Sequence, residues 1–150
     1  MTGFMSVLRA LFAFAVVVGC QSASAREMVS ISGSEVNMRS GPGKGYATQW
    51  ALARGYPLVV TGRKGKWLHV EDFEGDRGWV WSTLVNHSPH MVVSTSVLNL
   101  RASPSTRARI LGKAVYGDVL RTLDRRGRWV KVTHKSGVKG WVSNRLVWGW

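Results

Sequence analysis

Apolar positions in this chain come in short runs. From residue 26 onward, alternating or continuous apolar stretches are broken by Gly, Pro, Ser and Asn at close, regular intervals, the rhythm of short strands and turns. No stretch beyond residue 25 sustains the helical period of an amphipathic helix. The pattern predicts strands at Glu35–Arg39, Thr48–Leu52, Pro57–Gly62, Lys66–Glu71 and Gly78–Ser82, with counterparts later in the chain. Side chains alternate across a strand, so one face can be assigned to the core. In Trp67-Leu-His-Val70 and Trp129-Val-Lys-Val132 the aliphatic residues share one face, and the tryptophan shares the other with His69 or Lys131. The aliphatic face is expected to be the core. Trp67 and Trp129 then lie at least partly outside it, and by the same alternation Val80 and Val142 point in while Trp79, Trp81 and Trp141 point the other way.

The pattern is written twice. Sliding the chain so that position 36 falls on position 98 aligns 36–85 with 98–147 without a gap, and 15 of 50 positions are identical. The identical pairs are mostly glycines, tryptophans and core-type aliphatics, among them Gly55/Gly117, Gly65/Gly127, Trp67/Trp129, Gly78/Gly140 and Trp79/Trp141. The chain is therefore a tandem duplication of one all-β unit, joined through Asn86-His-Ser-Pro-His90. A unit of about sixty residues buries a small fraction of its surface and is marginal alone. The two are expected to pack together.

The segment 1–25 has a different character. Arg9 precedes an apolar run, Ala10 to Val18, and small residues follow, ending in Ala23-Ser24-Ala25. A basic end, a core too short to cross a bilayer and an A-x-A site make an export signal. Two ways of cutting it stand open. One is cleavage after Ala25. The other follows from Val17-Val18-Gly19-Cys20, which resembles the lipobox of bacterial lipoproteins and would put a lipid on Cys20. Cys20 is the only cysteine, so either cut leaves the remaining chain without an internal disulfide. The expected layout is a signal at 1–25 and two units at 26–88 and 89–150, the protein residing in the periplasm or cell envelope. No later apolar stretch is long enough to span a membrane.

Charge separates the units. Residues 26–88 hold eight Lys/Arg and six Asp/Glu, a net of +2, whereas 89–150 hold twelve and two, a net of +10. An excess confined to one unit points to an anionic partner for it, or to a solvated basic surface that aids solubility.

Val36-Asn-Met-Arg-Ser-Gly-Pro-Gly43, Asp72-Phe-Glu-Gly75, Gly78-Trp-Val80 and a closing Leu84-Val85 resemble the bacterial SH3 (SH3b) domain. The resemblance covers nearly all of the chain beyond the signal, twice. It implies two tandem small five-stranded SH3-like β-barrels, similar to small exported SH3b proteins of Gram-negative bacteria. In the second unit Ser103 and Ser105 replace the glycines beside the proline, so its turn is expected to differ. SH3b domains generally serve as envelope-binding modules, often attached to cell-wall hydrolases. A proline-rich ligand is not expected. The tyrosine-rich segment of eukaryotic SH3 domains is replaced by Val36-Asn-Met-Arg39, and their closing tyrosine by Leu84 and Leu146.

Catalytic chemistry is not evident in the residues. The histidines are His69, His87, His90 and His134, and no nucleophile with a nearby base is discernible, so the chain is expected not to be an enzyme and to need no cofactor. His87-x-x-His90 lacks a third ligand motif for a metal. Glu71, Asp72, Glu74 and Asp76 cluster in a hairpin loop, and their counterparts in the second unit are Thr133, His134, Ser136 and Val138. A solvated, turn-forming loop is expected there.

What remains is non-covalent binding to peptidoglycan or another anionic envelope polymer. The candidate ligand residues are Tyr46, Trp67, Trp79, Trp81, Trp129 and Trp141, with Arg101, Arg107, Arg109, Arg126, Arg128 and Lys131 as cations for carboxylates or phosphates. The alternative for the tryptophans is packing under loops or between the units. A periplasmic adaptor that docks envelope proteins is a second reading of the whole. Nucleic-acid binding through the basic unit is a third, which the export signal argues against. The repeated Asn-x-Arg-x-x-Pro, at Asn37 and Asn99, reads as the brace of a loop before it reads as a ligand contact.

Overall fold

The computed structural model describes residues 25–150, so the expected export signal, but for Ala25, and Cys20 lie outside the described residues. Each unit is a seven-stranded antiparallel sheet. In the first, β1 is Met28–Ile31, β2 Glu35–Arg39, β3 Thr48–Ala53, β4 Pro57–Lys64, β5 Trp67–Glu71, β6 Arg77–Trp81 and β7 Val85–Asn86, with one 3-10 turn at Ser82–Leu84. In the second, β8 is His90–Val93, β9 Val97–Arg101, β10 Ile110–Val115, β11 Val119–Arg126, β12 Trp129–Thr133, β13 Lys139–Ser143 and β14 Val147–Gly149. The strand orders are β3-β2-β6-β5-β4-β1-β7 and β10-β9-β13-β12-β11-β8-β14. Every strand of the second unit starts where the sequence repeat places it, from Met28/His90 and Glu35/Val97 through to Val85/Val147. The duplication is structural, element by element.

The five strands expected per unit are present, and two more were missed. β1 and β8 carry no alternation to read, because both of their faces are covered: Val29, Ser30 and Ile31 are all buried, as are Met91, Val92 and Val93. β7 and β14 are too short to show a period.

Each sheet folds over its own core. Val29, Ile31, Val36, Met38, Leu52, Leu58, Leu68, Val70 and Val80 fill the first. Met91, Val93, Leu98, Leu100, Ala114, Leu120, Val130, Val132 and Val142, with Val147, fill the second. All nine positions of the first core map onto the second in the same alignment, yet only Leu58/Leu120, Val70/Val132 and Val80/Val142 are identical. Exchanges such as Leu68/Val130 and Val29/Met91 keep the positions apolar while redistributing volume, which cores tolerate. Ser30 is the exception. It is fully buried with no partner for its hydroxyl, and Val92 stands at its place in the second unit.

Two identical glycine pairs answer to different needs. A Cβ on Gly78 would stand 2.5 Å from Met38 Cγ and 2.9 Å from the Arg39 carbonyl, and one on Gly140 would stand 3.1 Å from the Arg101 backbone. These glycines let β6 and β13 pass against β2 and β9. Gly65 and Gly127, by contrast, sit in hairpin turns at φ +58° and +56°, where a side chain is strained.

The units touch through turns. Gly55, in the β3–β4 turn, packs against the His90 ring and Val119, and a Cβ there would fall 2.6 Å from His90 Cδ2. Phe73 and Tyr116 stack obliquely across the junction at 5.4 Å, and the Tyr116 hydroxyl donates to the Glu74 carboxylate. Phe73, Tyr116 and His90 are thus rings that stand between the units.

The β5–β6 loop differs from expectation. It does form a turn, with Asp72 Oδ1 accepting from the Glu74 and Asp76 amides at 2.9 Å each. However, Asp72 is not solvated. It is buried, with the Tyr56 hydroxyl near its second oxygen at 3.4 Å, and burial pushes its pKa up against the pull of those amides. Glu74 and Asp76 complete a group of carboxylates within 4.8 Å of one another. In the second unit the same two positions hold Asp118 and His134, which bond at 3.1 Å with donor and acceptor exchanged.

Candidate functional site

The outward faces of the two sheets carry the residues of interest, and strand register decides which of them meet. In the first unit Trp67 lies opposite Trp81, and His69 opposite Trp79. Directly opposed residues share a face with Cβ atoms about 5 Å apart. Trp67 and Trp81 meet edge to face at 5.2 Å, and the His69 and Trp79 rings lie 4.8 Å apart. Arg39 on β2 pairs with Trp79 from the other side. Next to the Trp67–Trp81 pair runs an open groove of about 530 Å³, bounded also by Glu35, Asn37, Arg39, Lys44 and Leu84. All three tryptophans keep partial exposure.

Arg39 braces the groove's wall. Its Nη1 donates to the carbonyls of Lys44 (3.2 Å) and Tyr46 (2.9 Å). Arg101 does the same in the second unit, donating to Ala108 at 3.1 Å. The repeated arginine is thus a loop brace in both copies, as the motif predicts.

The loops it braces do not differ, contrary to the expectation from Ser103 and Ser105. Gly43 and Ser105 amides bond to the Gly41 and Ser103 carbonyls at 2.9 and 2.8 Å, and Ser40 and Ala102 amides close both loops at 2.9 Å. None of these glycines has a positive φ. The glycines make room instead: a Cβ on Gly41 would lie 2.6 Å from Tyr46 Cγ and closer to the ring edge. Where the second unit has Ser103 and Ser105, the position of Tyr46 is Ala108, and no ring needs the space. Tyr46 itself is half exposed on this loop.

The second unit gathers a different surface. Arg101 pairs with Trp141, Trp141 with Lys131, and Trp129 with both Arg126 and Ser143. Arg101, Arg126, Trp129, Lys131 and Trp141 therefore share one face. Trp141 does not present an open ring, however. It is only 5% exposed, with the Arg126 guanidinium 5.1 Å from its centroid. This corrects the expectation of an available tryptophan: alternation places its ring outside the core but does not show what neighbouring strands lay over it. Ser143 stands where the first unit has Trp81, so the second unit has no aromatic pair. Arg107 and Arg109 lie apart, exposed on the β9–β10 loop, and Arg128 is exposed at the β11–β12 turn.

Sequence reading missed the Asp118 cluster. Asp118 accepts from the Val115 amide (2.9 Å), His134 Nε2 (3.1 Å) and Lys135 Nζ (3.0 Å). Burial alone would raise its pKa, but these donors outweigh it and hold the carboxyl at about 2. The position-by-position exchange of Tyr56/Asp72 for Asp118/His134 was the available signal. His87 and His90 do not converge: His90 Nδ1 faces the Ser88 carbonyl at 2.9 Å, and His87 Nε2 lies 3.8 Å from Glu27.

Two family models described as "Bacterial SH3 domain" match this chain, one over residues 32–86 and one over 96–147. A Bacillus subtilis (strain 168) protein named "Putative N-acetylmuramoyl-L-alanine amidase YrvJ" is 28% identical over 128 residues, spanning 78% of this chain and 24% of that protein. Among solved structures, NlpC1 from Trichomonas vaginalis is similar with a TM-score of 0.38 and 13% identity, over 91% of this chain and 50% of that one. An NlpC/P60 family protein from Bacillus cereus ATCC 10987 gives 0.40 and 15%, over 83% and 56%. TM-scores of this size carry no argument. The chain spans about a quarter of the curated relative and about half of the solved structures.

One expectation is overturned by these matches. The residues alone suggest a protein that is not an enzyme, but the curated relative is named as an N-acetylmuramoyl-L-alanine amidase, and the assignment as a non-enzyme does not stand. Each matched region falls within one of the two units and covers most of its sheet, and together they account for most of the described residues. The chain belongs to the bacterial SH3 domain family and carries that domain twice in tandem.

Proposed function

We propose that the chain binds the bacterial cell wall, holding peptidoglycan in the Trp67–Trp81 groove of the first unit. The observation that carries this reading is an open groove lined along one side by a contacting pair of tryptophans in a bacterial SH3 domain. The likeness to a protein named as an N-acetylmuramoyl-L-alanine amidase supports the same substrate. Indole rings offer flat apolar surface to sugar C–H groups and peptide methyls, Lys44 a cation to stem-peptide carboxylates, and Glu35 an acceptor to amines. The exposed cations of the second unit, Arg107, Arg109, Arg126 and Arg128, add attraction to anionic polymer that salt screens. This reading requires export, as the signal at 1–25 suggests. Cell fractionation and intact mass test it, including a lipid at Cys20.

Trp67→Ala and Trp81→Ala each remove one ring of the pair that lines the groove. Loss of an aromatic contact of about 1–1.5 kcal/mol corresponds to roughly tenfold weaker binding. Retention of both variants on purified sacculi at the wild-type level would refute the groove assignment. Release of soluble fragments during the same incubation would reveal hydrolysis.

A further inference from the structure

A second concave site lies away from the groove, where the turn at Ala53 and Arg54 meets the second sheet. The cleft has a volume of about 570 Å³, within the range of small-ligand sites. Its floor is a row of directly opposed residues on four adjacent strands. His90 on β8 faces Arg121 on β11, Arg121 faces Thr133 on β12, and Thr133 faces Lys139 on β13. Opposed residues share a face, and strands lie about 4.8 Å apart, so Arg121 and Lys139 are rooted roughly 10 Å apart on one surface. Arg54, from the first unit, stands at the rim.

The cations here have no carboxylate of their own. Among the described residues Arg54, Arg121 and Lys139 form no ion pair. Asp118, the one acid lining the cleft, is already engaged by the Val115 amide, His134 and Lys135.

The duplication supplies an internal control. At the same four positions the first unit has Met28, Val59, Glu71 and Arg77, and the Arg77 guanidinium bonds to Glu71 at 2.8 Å. The framework therefore accepts apolar and self-neutralised residues in this row. In the second unit Thr133 replaces the acid, and two cations without an ion pair stand on one face.

We propose that this cleft is an oxyanion-binding site, taking a ligand that presents two or more carboxylate or phosphate groups, held by Arg121 and Lys139 and capped by Arg54. It is independent of the Trp67–Trp81 groove. Titration calorimetry on the full chain, with citrate as carboxylate source and pyrophosphate as phosphate source at constant ionic strength, tests it. Arg121→Val, which installs the first unit's residue, and Lys139→Ala are each expected to weaken binding tenfold or more. Lys113→Ala, an equal loss of charge on β10, is expected to leave it unchanged. Unfolding midpoints of the free variants establish that they are folded. Saturable binding of either probe with this variant pattern supports the site and names the preferred oxyanion. No saturable binding of either probe to the wild type, or an equal loss in Lys113→Ala, overturns it.

Discussion

The glycine beside the repeated proline offers a quantitative test of how the two copies diverged. Gly41→Ala puts a Cβ 2.6 Å from Tyr46 Cγ, well inside an ordinary carbon–carbon contact of about 3.5–4.0 Å. The three atoms nearest to that Cβ all belong to the Tyr46 ring, so the ring must leave its seat. Tyr46 is 51% exposed. About half of an aromatic side chain's surface, roughly 100 Å², is therefore covered, worth at most ~2.5 kcal/mol at ~25 cal/mol per Å². Against this, Ala at a position of negative φ restricts the unfolded chain and recovers about 0.5 kcal/mol. Gly41→Ala is expected to cost about 1–2 kcal/mol. In a Tyr46→Ala background the same change is expected to be neutral or stabilising by about 0.5 kcal/mol. Urea unfolding of the four proteins in this double-mutant cycle gives the coupling directly. Equal costs of Gly41→Ala in both backgrounds would refute the ring-clearance argument and return the glycine to a backbone role. The mirror experiment is Ala108→Tyr in the second unit, expected to destabilise beside Ser103 and to be relieved by Ser103→Gly.

Further outcomes follow from the same comparison of copies. Ser30→Val, which installs the residue at position 92, removes a buried hydroxyl without a partner and is expected to stabilise by about 1–2 kcal/mol; an unchanged unfolding midpoint would contradict it. Gly78→Ala meets the Arg39 carbonyl, which cannot rotate away, and is expected to cost about 2–4 kcal/mol in denaturant unfolding. Asp118 has a folded pKa depressed from 3.8 to about 2, so its contribution is complete above about pH 4 and disappears as pH falls through about 2. The stability difference between wild type and Asp118→Asn should narrow over that window, and parallel pH profiles would refute the assignment.

Much of the fold was legible because duplication supplied a second reading of every strand. Alternation in Trp67–Glu71 and Trp129–Thr133 sorted core from surface correctly, and Leu68, Val70, Val130 and Val132 are all buried. β1 and β8 escaped because burial on both faces erases alternation. The site was less legible. That Trp67 meets Trp81, while Arg126 covers Trp141, depends on which strands lie side by side, and no single-strand pattern encodes that. The members of the row His90, Arg121, Thr133 and Lys139 lie far apart along the chain and come together only through the register of four strands. That Ser103 and Ser105 leave the turn unchanged was not legible, because the ring that needs Gly41 and Gly43 lies further along the loop.

Wall binding is tested most directly by co-sedimentation of the protein with purified peptidoglycan sacculi, at low and at high salt. Retention is expected at low salt, with partial release at high salt as the basic unit is screened, and a salt-resistant remainder that is lost in Trp67→Ala and Trp81→Ala. Failure to sediment with sacculi under either condition would contradict it.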